Sequence, residues 1–548
     1  MNFNKMLFLL LVLSSGMLHA QKKYLSQEAL NAEFQSLSKT HSNLCSWQTI
    51  GTSASGTPIH ALTIGSGPAD KKPGVLYVGG VEGDELYSSH LVLAFAKKLL
   101  SSKDEATASL LRKNSIYLIP SANPDAQSSH FAAIKHERRS NGIKSDADRD
   151  GWIGEDPHED LDKNGMITDM IVRSKAGDWK KHAKYPFVLV AAESTDSIRY
   201  MRYTEGTDND GDKKWNEDDG FGTWVNRNFT YDYMPFSEGA GTESAIAPEV
   251  KILMDFLFKR ENIHSVFTFS KESNLHTEPK YDAQKAGKRI LQGWLENDVN
   301  EAAKMVKLFE QIPGAKELDA EKSAGGTFWQ TAYYHGGRLS FTAPAWWPFF
   351  SNPKADDEKP ARGKGKKEEL TKEAKFAIWA DSMKHTGFFA NWTKYNHPDF
   401  VGDEVEIGGL HPFVLQNPPM DLATAHEEKY LDFLFKFAQQ LPELKIKSQK
   451  ITKLDGDLYR VEVTLENVGN LPSFSSLGSK TRFVKQQKAE LMLDKNQSIV
   501  TGNRIVLGDA IPAGATQSYE WLIRGKGNTK VLLGSPTSGF VEAHLEAK

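Results

Sequence analysis

A change of hydrophobic period part-way along the chain is the feature that most constrains its fold. From about residue 25 to 440, strand-like apolar runs alternate with stretches of helical spacing. KPGVLYVGG (72–80) reads as a buried strand closed by glycines, and SSHLVLAFAKKLL (88–100) as a helix. NSIYLIP (114–120) is a strand stopped by Pro120; EVKILMDFLFKR (249–260) is a helix; HSVFTFS (264–270) and GGRLSFTAP (336–344) are strands. MDLATAHEEKYLDFLFKFAQQLP (420–442) is a long helix ended by Pro442. Such alternation predicts an α/β layered fold with a mixed or parallel sheet flanked by helices. Ligands in these folds sit outside the carboxyl ends of the strands.

Two stretches break the pattern. Residues 141–222 form an insertion rich in Asp and Gly, and residues 351–375 are charged with no apolar period. The second mixes both signs and reads as a surface excursion. After Pro442 only short alternating runs remain: LKIKSQKITKL, LYRVEVTLENVG, KAELML, RIVLG, SYEWLIRG and KVLLG. They predict an all-β sandwich over 443–548 that stabilises or docks and carries no concentration of catalytic residue types.

Composition narrows the function. At roughly 100–200 residues per domain, 548 residues make two to four units. With 39% hydrophobic and 25% charged residues the chain has material for a core. Lys+Arg 67 against Asp+Glu 71 leaves −4, which argues against nucleic acid as a partner. Cys45 is the single cysteine, so an intrachain disulfide and Cys-based zinc or iron–sulfur sites are excluded. Lys5, the apolar run 6–13 and a small-residue end before Gln21 have the form of a secretory signal peptide over residues 1–20. The run is too short for a membrane span, and no later stretch reaches about 18 apolar residues. The expectation is a secreted or periplasmic protein with a 21–442 α/β domain and no transmembrane segment.

Three loops place carboxylates at alternate positions: Asp146, Asp148, Asp150 before Gly151; Asp160, Asp162, Asn164 before Gly165; and Asp208, Asp210, Asp212. Alternation lets oxygens converge on one hard cation, and calcium prefers oxygen ligands. The first two match the start of an EF-hand-type loop but have Pro157 and Ile171 at the twelfth position; the third has its glycine, Gly211, out of place. Calcium binding and plain solvated acidic turns both remain open.

Four further motifs arrive in order: VGGVEGDELYSSH (78–90), IPSANPDAQ (119–127), TWVNRNF (223–229) and GGTFWQTAYYHGGRLSFTAPAWW (325–347). Together they resemble the zinc carboxypeptidases of the carboxypeptidase A type. The acidic insertion, VEIGG (405–409) and the β-rich tail look like a secreted bacterial branch of that family, and the resemblance covers nearly the whole chain after the signal. It implies removal of a C-terminal residue from a peptide. Zinc sits on two His and one Glu with a position open for water, which it acidifies; a separate Glu is the general base, and arginines hold the terminal carboxylate and the oxyanion.

Carried over residue by residue, the chemical half is replaced. Glu82 stands at the first His position and Glu85 at the Glu position; Phe269, before Ser270, stands at the second His; Pro344 stands at the general base. Two carboxylates suit calcium or magnesium better than zinc, and without a metal one of them should have a raised pKa. His90, His264, His276 and His335 lie near the motifs, His276 being the best substitute ligand; Glu406, Glu272 and Glu278 are substitute bases, Glu406 first. The carboxylate-binding half is better kept. Asn226 and Arg227 match the family's gripping pair, Arg138 or Arg139 matches the oxyanion arginine, and Asn123, Pro124 and Asp125 match a structural turn with Ala126 in place of Gly. Tyr333 and Tyr334 read as core aromatics. The resemblance thus points to a pseudoenzyme that binds a peptide or protein C-terminus. An active carboxypeptidase with an atypical metal site and a calcium-dependent surface protein are the alternatives. Oligomeric state is not legible.

Overall fold

The computed structural model describes residues 23–146, 149–216, 218–348 and 371–548. The signal peptide expected over 1–20, Asp148 of the first acidic loop and most of the charged stretch 351–375 lie outside them.

A six-stranded mixed sheet organises the first part of the chain. Its spatial order is Cys45–Thr52, Pro58–Ile64, Ser115–Ile119, Gly74–Val78, Ile263–Phe269, Leu339–Ala343. The last four run parallel and are buried at every position. Parallel strands covered on both faces read as continuous apolar runs for this reason. Alternate side chains enter different layers. Val75, Tyr77, Phe267 and Phe269 meet the helices Leu86–Ser101, Glu296–Phe309 and Thr424–Ala438. Leu76, Val78 and Val266 meet Pro248–Lys259 and Phe328–Tyr334 on the other face.

The acidic insertion does more than interrupt. Asp169–Arg173, Trp179–Lys181, Leu189–Ala191 and Tyr200–Thr204 join Phe389–Tyr395 and Val405–Leu410 in a second six-stranded sheet, antiparallel at each pairing. VEIGG is therefore a strand of this sheet. Strands of three to five residues between Asp/Gly turns are too short to show a period in the sequence. The charged stretch ends in the helix Lys372–Ser382, whose first turn is capped by the Thr371 hydroxyl accepting from Ala374 N–H at 3.2 Å.

The tail is two four-stranded antiparallel sheets packed around Val461, Leu491, Trp521, Val531 and Leu533. It includes two strands not read from sequence, Ser498–Thr501 and Gly539–Ala547. A short helix, Ser476–Thr481, docks it onto the α/β part. The buried Asp298 carboxylate accepts from Ser476 N–H (2.8 Å), Leu477 N–H (2.9 Å) and the Tyr333 hydroxyl (3.0 Å). Ser475 donates to the Gly337 carbonyl at 2.7 Å, and the His264 ring meets the Pro472 carbonyl at 2.8 Å. No described helix is long and apolar enough to cross a membrane.

Asp298→Ala leaves three buried donors without an acceptor. The expected loss is about 2–4 kcal/mol of stability in denaturant unfolding, with separate transitions for the two parts. An unchanged, single transition would show that the junction does not hold them together.

A candidate cleft at the carboxyl ends of the sheet

Gly74–Val78, Ser115–Ile119, Ile263–Phe269 and Leu339–Ala343 deliver Glu82, Asn123, Ser270 and Pro344 to one end of the sheet. The first crossover needs small residues. Gly80 has φ +63°, and a Cβ there would lie 2.9 Å from the Ser121 Cα. A Cβ on Gly83 would lie 2.0 Å from that of Ala126, so Ala126 is accommodated because Gly83 faces it. The turn Asn123–Pro124–Asp125 then fixes the next segment. Asn123 donates to the Arg139 carbonyl at 2.9 Å, and Asp125 accepts from Gly142 N–H at 3.0 Å.

Glu82, only 3% exposed, is the centre. It accepts from Arg139 Nη2 at 2.8 Å, Asn226 Nδ2 at 2.9 Å and Ser270 Oγ at 3.3 Å. Lys271, the next residue, is buried and bonded to buried Asp84. Burial pushes the Glu82 carboxyl up, but Arg139 and Lys271 outweigh it and hold its pKa down to about 2. Burial pulls Lys271 down, and Asp84 with Glu82 more than restores it, so the ammonium stays charged. Glu85 behaves oppositely. Burial, with smaller contributions from Glu82 and Asp84, pushes it up to about 8 against a hydrogen bond from Ala345 N–H at 2.9 Å and the weaker pull of the Lys271 ammonium. The raised carboxyl expected of the pair is thus Glu85, and desolvation rather than mutual repulsion is the main cause.

The structure brings some of the residues read from the sequence to Glu82 and holds others elsewhere. Phe269 packs in the core, its ring 5.4 Å from that of Tyr430, and Ser270 is the residue that faces Glu82. Strand alternation explains the slip: the odd positions face the helices, and the first residue past the strand turns to the cleft. Asn226 is fully engaged, since its Oδ1 accepts from Phe328 N–H at 3.1 Å while its amide binds Glu82 and Ser270. Arg138 braces the Ser140 and Asn141 carbonyls and lies over Phe221, away from Glu82. Arg139 is the arginine of the cleft, 4.0 Å over the Trp224 ring and 3.7 Å from Glu321. His276 meets the Ala315 carbonyl at 3.1 Å instead of joining the Glu82 cluster, and Glu406 pairs with Lys181 in the second sheet. His90, His264 and His335 pair with Glu427, Pro472 and Thr230. Pro344 offers its carbonyl to the Tyr430 hydroxyl at 2.8 Å. Tyr333 and Tyr334 are buried aromatics, the latter stacked on Tyr231 at 3.9 Å.

Arg227 remains. Its Nη1 lies 3.7 Å from Glu272 Oε1, beyond hydrogen-bond length, and has no hydrogen-bond partner among the described residues. Glu272 itself is held by Trp329 Nε1–H at 2.9 Å. Beside Lys271 and Pro344 opens a cavity of about 430 Å³ walled by Leu318, Trp346, Trp347 and Leu415. Lys271, Asn417 and Trp329 were missed from sequence. Asn417 caps the helix Leu86–Ser101, accepting from Leu86 and Tyr87 N–H at 2.7 and 3.0 Å, and no short motif marks it.

A zinc carboxypeptidase family model matches residues 30–164, the part that carries Glu82, Glu85 and Arg139. The α/β part of this chain is zinc-carboxypeptidase-like. Residues 443–546 match a domain of unknown function, DUF8731. Among curated proteins, carboxypeptidase M of Mus musculus is 31% identical over 108 residues, 19% of this chain and 24% of that protein. Carboxypeptidase A4 of Mus musculus is 31% identical over 100 residues, 18% of this chain and 24% of that one. The match spans about a quarter of the length of these relatives. Thrombin-activatable fibrinolysis inhibitor is a similar solved structure (TM-score 0.37, 15% identity, 58% of this chain and 68% of that one). Carboxypeptidase A from Helicoverpa armigera is another (TM-score 0.36, 14% identity, 59% and 67%).

The acidic loops of the carboxypeptidase-like domain share one hydrogen-bond plan. Asp146, Asp160 and Asp208 each accept from the N–H five residues on, at Gly151, Gly165 and Lys213. Asp150, Asn164 and Asp212 each accept from the N–H two residues on. Gly211 is not out of place: the fourth position has positive φ in all three loops, as Arg149, Lys163 and Gly211, and so has the sixth, where Lys213 takes the glycine's role. Carboxylate oxygens of Asp160, Asp162 and Glu205 lie within 4.8 Å of one another, as do those of Asp208, Asp210 and Asp212 and of Asp150, Glu155 and Asp210.

The Glu85 shift has a sign. The unfolded carboxyl ionises above about 4.5 while the folded one holds its proton to about 8, so stability falls as pH rises across that window, by about 1.4 kcal/mol per unit at most. Glu85→Gln should abolish this slope in pH-dependent unfolding. A variant whose slope matches the native protein would place Glu85 in solvent.

Proposed function

We propose that this is an exported, carboxypeptidase-like binding protein that has lost hydrolysis and receives the free C-terminus of a peptide at Arg227. The observation that carries the reading is the state of Glu82. Its oxygens are already bonded to Arg139, Asn226 and Ser270, with the Lys271 ammonium beside them. Zinc does not fit this donor set. Among the described residues no imidazole or thiolate joins the Glu82 cluster, and a cation there would face the Arg139 and Lys271 cations already paired in it. Pro344 has no titratable group and can move no proton.

What supports ligand binding is Arg227. A guanidinium fork matches a carboxylate bidentately, and this one is half-engaged, with a buried donor unused. The cavity walled by Trp346 and Trp347 gives apolar surface for a neighbouring side chain.

Calorimetric titration with peptides should show binding that amidation of the C-terminus abolishes and that Arg227→Ala weakens by about tenfold or more. The same peptides should stay intact, and zinc-loaded, washed protein should retain no stoichiometric zinc by mass spectrometry. Chelator-sensitive release of C-terminal residues would establish the active alternative. Equal binding of acid and amide would remove the C-terminus as ligand.

Calcium is the cation suited to the three oxygen sets of the acidic loops. Added calcium should raise the melting temperature and protect residues 141–222 from protease. No effect on either would leave these loops as self-closed acidic turns.

A further inference from the structure

A groove of about 840 Å³ lies where the α/β part meets the sandwich. It is independent of the cleft and lies at the other end of the sheet: Asn262 in its wall precedes the strand Ile263–Phe269, whereas Ser270 of the cleft follows it. Gly539 closes in on Lys71 and Pro73 across the junction, where a Cβ would stand 3.2 Å from the Lys71 carbonyl and from Pro73. Both parts therefore build the groove, and the docking through Asp298 and His264 holds it in shape.

Its lining carries more cations than carboxylates. Lys71, Lys259, Arg260, Lys485 and Lys488 line it, against Asp70 and Glu261. Four of the five cations have a carboxylate neighbour: Asp70 at 3.3 Å, Asp255 at 2.7 Å, Glu261 at 2.7 Å and Glu490 at 2.9 Å respectively for Lys71, Lys259, Lys485 and Lys488. Arg260 has none within ion-pair distance among the described residues. Its guanidinium is 3.6 Å over the Phe256 ring and bonds only the Phe256 carbonyl, at 3.5 Å, so most of its fork is unused. A flat, stacked guanidinium with open donors is pre-set for a planar carboxylate.

The remaining lining names the kind of molecule. Gln48, Thr63 and Gln486 offer amide and hydroxyl groups that bond no other described residue. Leu507, 59% exposed, and the half-buried Phe540, with Lys488 Nζ 5.9 Å from its ring centroid, give apolar surface in a groove lined from both parts. Scattered amides and hydroxyls beside an aromatic face suit the hydroxyls and C–H faces of a sugar ring. We infer that the groove binds an acidic oligosaccharide, with Arg260 gripping a uronic-acid carboxylate.

The test is calorimetric titration of the full chain with an oligogalacturonate, its methyl ester and a poly-glutamate of similar length. Binding of the free acid, weakened by salt and by the methyl ester, is expected. Arg260→Ala should lower affinity by about tenfold, and Lys488→Ala by less, with both variants melting as the native protein. A melting point lowered by Arg260→Ala shifts the comparison to Lys485→Ala, whose side chain is exposed. No binding of the oligogalacturonate, equal binding of the ester, unchanged affinity in the variants, or tighter binding of poly-glutamate would each overturn the assignment.

Discussion

The buried Glu82–Arg139 pair is the contact on which the cleft depends. Taking a carboxylate and a guanidinium out of water costs several kcal/mol per ion, and the cost is met only when the partners and their remaining hydrogen bonds are all in place. Here Asn226, Ser270 and Lys271 complete the set. The pair joins a turn after one strand to a segment placed by the Asn123 turn, and Asn226 ties both to the backbone of Phe328. The site is thereby wired from five separate stretches of chain. Its charge is balanced by the protein's own cations.

That balance explains a second asymmetry. Two carboxylates three positions apart on one crossover take opposite protonation states because only Glu82 is directly bonded by a cation, while burial dominates at Glu85. Glu82 faces Arg139, whereas Glu85 turns toward Ala345 and the buried aromatic layer. Environment, not residue type, assigns the charge.

Much of this was legible in the sequence. The period-two and helical runs placed the parallel strands and principal helices within a few residues, and motif order led to the family type. What could not be read was direction. One residue of offset at the end of Ile263–Phe269 decides whether a phenylalanine or a serine meets Glu82, and sequence spacing does not resolve one residue. Nor did it show that Lys271, next to Ser270, and Asn417 complete the network, because their partners near Glu82 are far away in sequence and long-range pairing leaves no local pattern. The second sheet was hidden for a related reason: the strands of its insertion are short, and the pairing that joins them to Val405–Leu410 spans some two hundred residues.

The helix Ser476–Thr481 starts in one part of the molecule and is capped from the other, by Asp298. This has a consequence for how such a chain can change over evolutionary time. A sandwich transplanted onto a different partner would bring two backbone donors that need a buried acceptor at one particular spot. An α/β part left behind would keep a buried carboxylate with nothing to bind but Tyr333. The tail is thus no freely interchangeable cassette, and its exchange between proteins would have to carry residue 298 along with it.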